Sequence, residues 1–254
     1  MDKIHFDQLL VFAVKAIIFI GILIFIKSFA KKRYLNRYES AIDSIDKGNY
    51  TKALKFLNTH IQNVPEDFNA LALRGECLYL TDKWEEARKD FIKATSLNPE
   101  CSKSQYFLGQ IEVRSGNHDA ALFHFNRAVE IQPVNAVFVS QRAVLHFYLS
   151  NFRESKTDYL NTIKLLPNKK ALFLPYLAFC YYQLDDYELA NVTFEDAIKL
   201  NRNDPQIYKF RGIMFFQLMK FNESIADLES AIVLEDDLRA ELVPLINQAR
   251  AKMN

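Results

Sequence analysis

The chain has 254 residues, half of them apolar, and its 32 Lys and Arg nearly balance its 31 Asp and Glu. Six glycines and seven prolines are too few for a disordered linker protein or a turn-rich all-β fold. Residues 1–33 are basic and the remainder is mildly acidic. This distribution disfavours nucleic acid as a partner, because phosphate binding needs a basic face.

The cysteines Cys77, Cys101 and Cys180 are widely spaced and form no CxxC pair. This pattern predicts neither a disulfide framework nor a zinc site. It indicates reduced, mostly buried thiols in a protein whose body is cytosolic.

The first predicted element is an apolar segment, residues 9–26, which contains a single charge at Lys15. Its 18 residues would rise about 27 Å as a helix, close to the hydrocarbon thickness of a bilayer. Because the segment is apolar on every face, we predict a transmembrane signal-anchor helix instead of a buried core helix. A cleaved signal peptide is the alternative, since the small residues Ser28 and Ala30 follow, but the preceding region is not basic.

A basic cluster follows the apolar segment directly and consists of Lys27, Lys31, Lys32 and Arg33. By the positive-inside rule this end of the helix stays in the cytoplasm. We therefore predict a single-pass membrane protein whose N-terminus faces out and whose body, residues 34–254, is cytosolic. The same basic residues are suited to contact anionic lipid headgroups.

The body repeats itself with a period of 34 residues, marked by Pro65, Pro99, Pro133 and Pro167; one extra residue enters after the last of these. Within each period a small residue precedes a large one by four positions, as in Ala87 and Phe91, Ala121 and Phe125, and Ala190 and Phe194. Small residues are expected where two helices approach closely, and large ones where a neighbouring repeat leaves a gap. Turn signals at Gly48 and Gly116 separate two helices within a period, and the proline ends the second helix.

This pattern resembles the tetratricopeptide repeat family over roughly residues 34–238. The resemblance implies an all-α fold, a right-handed superhelical solenoid of about six helix-turn-helix units with a C-terminal capping helix. The expected units lie near residues 34–67, 68–101, 102–135, 136–170, 171–204 and 205–238, and the cap is 239–254.

In this family the first helix of each unit lines a concave wall that binds partners. At the positions usually exposed there, this chain has mostly apolar and aromatic residues. The resemblance therefore implies a groove, with Val137 and Leu172 on its wall, whose binding residues are Tyr79, Tyr106, Gln110, Val144, Phe147, Phe179, Tyr182, Lys209 and Phe216. Such a groove suits an amphipathic helix or an extended apolar segment of a protein or peptide. Aromatic residues at this spacing also serve as core between repeats, so both interpretations stand.

Some family members use a clamp of Lys, Arg and Asn to hold the acidic C-terminus of cytosolic chaperones. Of the corresponding positions, which are Tyr38, Ile42, Leu73, Lys103 and Phe107, only Lys103 fits that pattern. We therefore do not expect a chaperone carboxylate clamp.

No catalytic motif, metal-ligand set or cofactor loop is found along the chain, so we expect a protein without enzymatic activity and without a cofactor. His118 and His146 occupy positions where other repeats have large apolar residues, and both are interpreted as core.

The leading hypothesis is a membrane-anchored adaptor or scaffold whose groove binds a protein or peptide. A narrower version is an import receptor of the mitochondrial outer membrane that recognises precursor proteins. The same plan also suits a bacterial inner membrane, where the chain would be a structural homo-oligomeric subunit of an envelope complex.

Overall fold

A computed structural model describes residues 19–25 and 36–253. The predicted anchor, residues 9–26, falls mostly outside the described residues, and the basic residues Lys27, Lys31, Lys32 and Arg33 fall wholly outside them. Among the residues that are described, no helix is long and apolar enough to cross a bilayer. The anchor therefore stays a prediction.

The described chain contains helices and no strands, as predicted. After a short helical segment at 19–25, the helices are α1 (36–46), α2 (Tyr50–Asn63), α3 (Phe68–Tyr79), α4 (Trp84–Leu97), α5 (Ser102–Arg114), α6 (His118–Ile131), α7 (Ala136–Tyr148), α8 (Phe152–Leu165), α9 (Leu174–Gln183), α10 (Tyr187–Asn201), α11 (Pro205–Gln217), α12 (Phe221–Leu234) and α13 (Arg239–Met253). Successive pairs from α1–α2 to α11–α12 are called repeats 1 to 6. Short 3₁₀ turns at Pro167–Leu172 and Asp236–Leu238 precede α9 and α13.

The chain divides into two compact units, one up to Ile111 and one from Glu112 onward. In the first unit, buried side chains such as Leu57 and Phe91 form the core. In the second unit, the core is built around Tyr159, Phe194 and Leu228. Each core lies between the two helices of a repeat and the helices of the next one, as expected for stacked hairpins.

Small residues permit close approach of the two helices within a repeat, as predicted. A Cβ atom added to Gly75 would lie 2.7 Å from the ring of Phe91, and one added to Gly212 would lie 2.8 Å from the side chain of Leu228. Since real Cβ atoms do not approach other atoms so closely, these two positions need glycine with the backbone as it stands.

The prolines mark helix ends, also as predicted. For example, α4 ends at Leu97, two residues before Pro99, and α6 ends at Ile131, two residues before Pro133. Residue i−1 of a proline is disfavoured in helical conformation, so the chain leaves the helix there. Repeat 5 differs from the others because the extra residue is taken up in the 3₁₀ turn, and α9 begins at Leu174 with Pro175 in its first turn.

A left-handed residue follows the first helix of every repeat. The six residues have φ between 58° and 76°, and they are Gly48, Asp82, Gly116, Ser150, Asp185 and Met219. Glycine adopts this conformation freely, and asparagine and aspartate tolerate it, whereas other residues are strained by about 1–2 kcal/mol.

Repeats 2, 4 and 6 share a polar brace that the sequence analysis did not predict. Arg74 of α3 donates two hydrogen bonds of 2.6 Å to the carboxylate of Asp90 on α4, and the side chain of Asp90 is 8% exposed. Its Nη1 also donates to Asn58 Oδ1 of the preceding repeat at 3.0 Å. The equivalent pairs are Arg142 with Asp158 and Arg211 with Asp227, at 2.7–2.8 Å.

The brace skips alternate repeats. At the positions of its Arg and Asp, repeat 3 has Leu108 and His124, and repeat 5 has Leu177 and Thr193. The chain therefore carries a second period of two repeats, superimposed on the period of 34 residues.

We expect Met219→Gly to raise the free energy of unfolding by about 0.5–1 kcal/mol, because it removes left-handed strain from a residue that is 77% exposed. The matched reverse change, Gly116→Met, should lower it by about 1 kcal/mol. Urea denaturation followed by circular dichroism measures both. Equal stability of the two variants would contradict the strain argument.

We expect Asp158→Ala to lower the free energy of unfolding by about 3 kcal/mol, because Arg142 would be left partly buried without a carboxylate and with the amide oxygen of Asn126 as its remaining acceptor. The double change Arg142→Leu with Asp158→Thr, which copies repeat 5, should cost less because it removes both charges. The control is Asp196→Ala, whose exposed pair with Lys199 should contribute less than about 1 kcal/mol. Equal losses for Asp158→Ala and Asp196→Ala in urea denaturation would refute the role of the brace.

Candidate functional site

In the first unit, the predicted groove residues Tyr79, Tyr106 and Gln110 lie together. The rings of Tyr79 and Tyr106 each pack against Phe107, with centroids 5.1 Å apart in both pairs. Gln110 hydrogen-bonds the Tyr106 hydroxyl, and burial raises the pKa of that hydroxyl more than this bond lowers it. Both tyrosines are half-buried, so each offers a ring edge at the surface of α3 or α5.

In the second unit, three of the predicted residues form one aromatic and aliphatic cluster. Val144 and Phe147 of α7 and Phe179 of α9 are half-buried and pack against the core. The ring centroids of Phe147 and Phe179 are 5.6 Å apart. These side chains therefore serve both as inter-repeat packing and as part of the wall.

The structure places Tyr182 in the core, where it is 9% exposed, although the sequence analysis assigned it to the groove. Its ring lies between Phe179 and Tyr187, with centroids at 5.7 and 5.9 Å. This position near the end of α9 packs against the start of α10, as Phe147 and Phe216 pack against the starts of α8 and α12. Tyr182 cannot offer a ligand more than a small edge.

Two aromatic residues complete the cluster, and the sequence analysis did not assign them to it. Tyr176 and Phe210 both contact Phe147, with ring centroids at 5.4 and 5.5 Å. Both lie at the position of the first helix that Leu73 and Phe107 hold in repeats 2 and 3. The signal that would have found them is that repeats 3, 5 and 6 all have an aromatic residue there.

The lysines of the concave wall are already paired. Lys103 Nζ lies 2.8 Å from Glu76 of the preceding repeat, and Lys209 Nζ lies 2.7 Å from Glu241 of α13. A clamp for an acidic C-terminus needs unpaired cations, and each of these two lysines already has a carboxylate partner.

Phe216 lies apart from the aromatic cluster, near the end of α11. The ammonium group of Lys252 stands 5.2 Å from the centre of its ring, and Phe221 packs against its edge at 5.8 Å. The last helix therefore partly covers this predicted groove residue.

Two further apolar side chains predicted for the second unit's wall are more exposed than the cluster. Val137, at the start of α7, is 52% exposed, and Leu172, just before α9, is 56% exposed. Together with the half-buried rings of Phe147 and Phe179, they make this wall apolar. The lysine among the predicted groove residues, Lys209, is paired with Glu241.

A separate cavity of about 350 Å³ opens between α2, α3 and α4 and is lined by Leu54, Asn58, Arg74, Leu78, Lys83, Glu86, Lys89 and Asp90. Its floor is the brace of repeat 2, in which Arg74 and Asp90 neutralise each other. At the rim, Glu86 stands between two lysines along α4. The charges nearly cancel, so we assign no ligand to this cavity.

Catalytic groups are not assembled in the part of the chain that the structure describes. Cys77, Cys101 and Cys180 are free and buried, as predicted. Burial raises the pKa of the Cys77 and Cys180 thiols to about 11, which disfavours the nucleophilic thiolate at neutral pH. No group of His, Cys, Asp and Glu among these residues is placed to hold a metal ion.

The interpretation of His118 as a core residue is wrong, because the structure places it exposed at the first residue of α6. His146 is half-buried, and desolvation lowers the pKa of its imidazole. The histidine that does lie in the core is His60, whose Nε2 is 2.8 Å from Asp67.

Two family models, both described as tetratricopeptide repeat, match the chain at residues 38–94 and 81–136 and at residues 177–204. Together these matches span half of the chain. The chain belongs to the tetratricopeptide repeat family.

Curated relatives share the tetratricopeptide region and are longer. Anaphase-promoting complex subunit 3 of Schizosaccharomyces pombe is 27% identical over 173 residues, which cover 68% of this chain and 26% of that protein. Human tetratricopeptide repeat protein 13 is 26% identical over 168 residues, which cover 64% of this chain and 19% of that protein. The chain thus spans about a quarter of these relatives or less.

Solved tetratricopeptide structures share the fold. YrrB matches with a TM-score of 0.66 at 15% identity, covering 77% of this chain and 97% of that one. MamA from Desulfovibrio magneticus RS-1 matches with a TM-score of 0.57 at 19% identity, covering 67% of this chain and 94% of that one. At these identities the likeness shows the fold alone.

We expect Phe147→Ala to lower the free energy of unfolding by about 2–3 kcal/mol, because the ring contacts five others in the second unit. Val137→Ala should change it by less than about 0.5 kcal/mol, because that side chain is largely exposed. Thermal or urea denaturation compares the two. A stability change as small for Phe147→Ala as for Val137→Ala would show that Phe147 belongs to an open groove and not to the core.

Proposed function

We propose that this protein is a membrane-anchored adaptor whose second unit binds an apolar or amphipathic segment of a protein partner. Tetratricopeptide proteins bind protein or peptide partners, and YrrB is described as having an unusual peptide-binding site. The observation that carries the proposal is the wall formed by Val137, Phe147, Leu172 and Phe179, which combines exposed and half-buried apolar side chains.

The chemistry of this wall selects against an acidic partner. Lys209 already pairs with Glu241. An apolar segment gains from burial against the wall at about 25 cal/mol per Å² without displacing this ion pair. An acidic segment would have to compete with Glu241 for this lysine.

Membrane anchoring is supported by residues 19–25 as well as by the sequence around them. This helical segment exposes six large apolar side chains, from 43% at Leu23 to 71% at Phe25. So many exposed apolar residues on one short helix are unfavourable in water and need a cover, which a bilayer supplies. The basic residues from Lys27 to Arg33 then place the body, residues 34–254, in the cytosol.

Photo-crosslinking in cells tests where the partner binds. A photoreactive amino acid at Val137 or Leu172 should capture the same protein, whereas one at Val192, which is similarly exposed on α10, should not. Captured precursor proteins in cells with mitochondria would narrow the function to an import receptor. Capture of a second copy of this chain alone would favour the homo-oligomeric alternative, and equal capture from Val192 would refute binding at the wall.

Fractionation tests the anchor independently. The full-length chain should stay with membranes in alkaline carbonate, and removal of residues 1–33 should release it. Release of the full-length chain under the same conditions would refute the anchor.

A further inference from the structure

The first helices of repeats 4 and 6 are each tied to their second helices by two polar links. In repeat 4, Arg142 pairs with Asp158, and Ser155 Oγ donates to the Ala143 carbonyl at 3.0 Å. In repeat 6, Arg211 pairs with Asp227, and the hydroxyl of Ser224 donates to the Gly212 carbonyl at 2.9 Å. These links fix the position of α7 on α8 and of α11 on α12, because hydrogen bonds weaken steeply with distance and angle.

Repeat 5 lies between them and has neither link. Its corresponding positions hold Leu177, Thr193 and Ala190. The Thr193 hydroxyl donates to the Leu189 carbonyl of its own helix at 2.6 Å. Within the described second unit, no side-chain hydrogen bond or ion pair joins α9 to α10.

Apolar and aromatic contacts hold α9 instead. Tyr176 and Phe179 both pack against Phe147 of α7 and Phe210 of α11, with ring centroids between 4.8 and 5.6 Å. Such contacts are not directional, so α9 can shift along α10 and α11 without breaking a directional bond. Among the described residues, one weak side-chain hydrogen bond ties it to α8, from Cys180 Sγ to Ser155 Oγ at 3.5 Å. At 10 residues, α9 is also shorter than the 13-residue helices α7 and α11.

An unsatisfied hydroxyl lies in the same interface. Tyr159 of α8 is 1% exposed, its ring stacks on Tyr176 of α9 at 5.8 Å, and its hydroxyl has no hydrogen-bond partner among the described residues. The equivalent residues Phe91, Phe125 and Phe194 have no hydroxyl to satisfy. A buried unpaired hydroxyl is unfavourable. If a displacement of α9 lets water hydrogen-bond the Tyr159 hydroxyl, that new bond offsets part of the free-energy cost of the displacement.

We propose that α9 is the movable wall of the groove, and that its displacement uncovers Phe147 and Phe210 for a bulky apolar side chain of the bound segment. These two rings contact each other, with centroids 5.5 Å apart, and Tyr176 and Phe179 of α9 pack against both, so such a side chain reaches them only when α9 is displaced. This inference rests on the proposed function, because it identifies which part of that groove adapts to the partner.

Hydrogen–deuterium exchange of the partner-free, full-length chain in detergent tests the inference directly. Amides of α9 should exchange at least about tenfold faster than those of α7 and α11, because local opening of α9 breaks no ion pair and only the weak thiol hydrogen bond of Cys180. Exchange of α9 as slow as that of α7 and α11 would overturn the proposal.

Swapping the residues at the Arg–Asp link between repeats 4 and 5 provides matched variants. The double change Arg142→Leu with Asp158→Thr gives repeat 4 the residues of repeat 5 and should speed exchange in α7 by about tenfold or more. The reverse double change, Leu177→Arg with Thr193→Asp, should slow exchange in α9. Unchanged exchange in α7 after loss of its links would overturn the proposal. If the reverse variant does not fold, the exchange rates of α9, α7 and α11 in the unmodified protein still decide the question.

The two proposals can fail separately. Slow exchange in α9 removes the movable wall and leaves crosslinking at Val137 unaffected. Absence of a captured partner removes the adaptor function and leaves the exchange pattern unaffected, since no partner is present in that measurement.

Discussion

The structure depends on the close approach of two helices at one small residue in each repeat. Gly75 beneath Phe91 and Gly212 beneath Leu228 leave no space for a Cβ atom, so each pair of helices closes tightly on one side. The opposite side of the pair then exposes apolar residues that only the next repeat can cover. Stacking is therefore a consequence of the composition of each repeat, and each unit has a core that continues from one repeat to the next.

The tight packing of the two helices within a repeat separates the residues that maintain the fold from those available for binding. The brace of Arg142, Asp158 and Asn126 connects a first helix with second helices on both sides, away from the positions that form the concave wall. That wall is left free to vary in sequence, and here it has become apolar. Its lysines are neutralised locally, as Lys209 is by Glu241, so they do not give the wall a net positive character.

Local features were predictable from the sequence because each has a local cause. Pro99 ends a helix and Gly116 adopts a left-handed turn whatever surrounds them. The burial of Tyr182 was not predictable, because an aromatic residue at this position is exposed or covered according to the rings that pack on it, which here are Phe179 and Tyr187. The brace was predictable in principle, since its Arg and Asp recur 16 residues apart in every second repeat.

The free-energy cost of moving each first helix decides which part of the second unit's wall adapts to a partner. A ligand shifts a conformation only by its difference in affinity for the two states. Moving α7 or α11 would break a partly buried ion pair, at about 3 kcal/mol, which corresponds to a loss of more than about a hundredfold in affinity. Moving α9 exchanges one set of apolar contacts for another and lets water reach the Tyr159 hydroxyl. A partner that needs more room than the wall provides is therefore accommodated at repeat 5, with repeats 4 and 6 as the fixed frame.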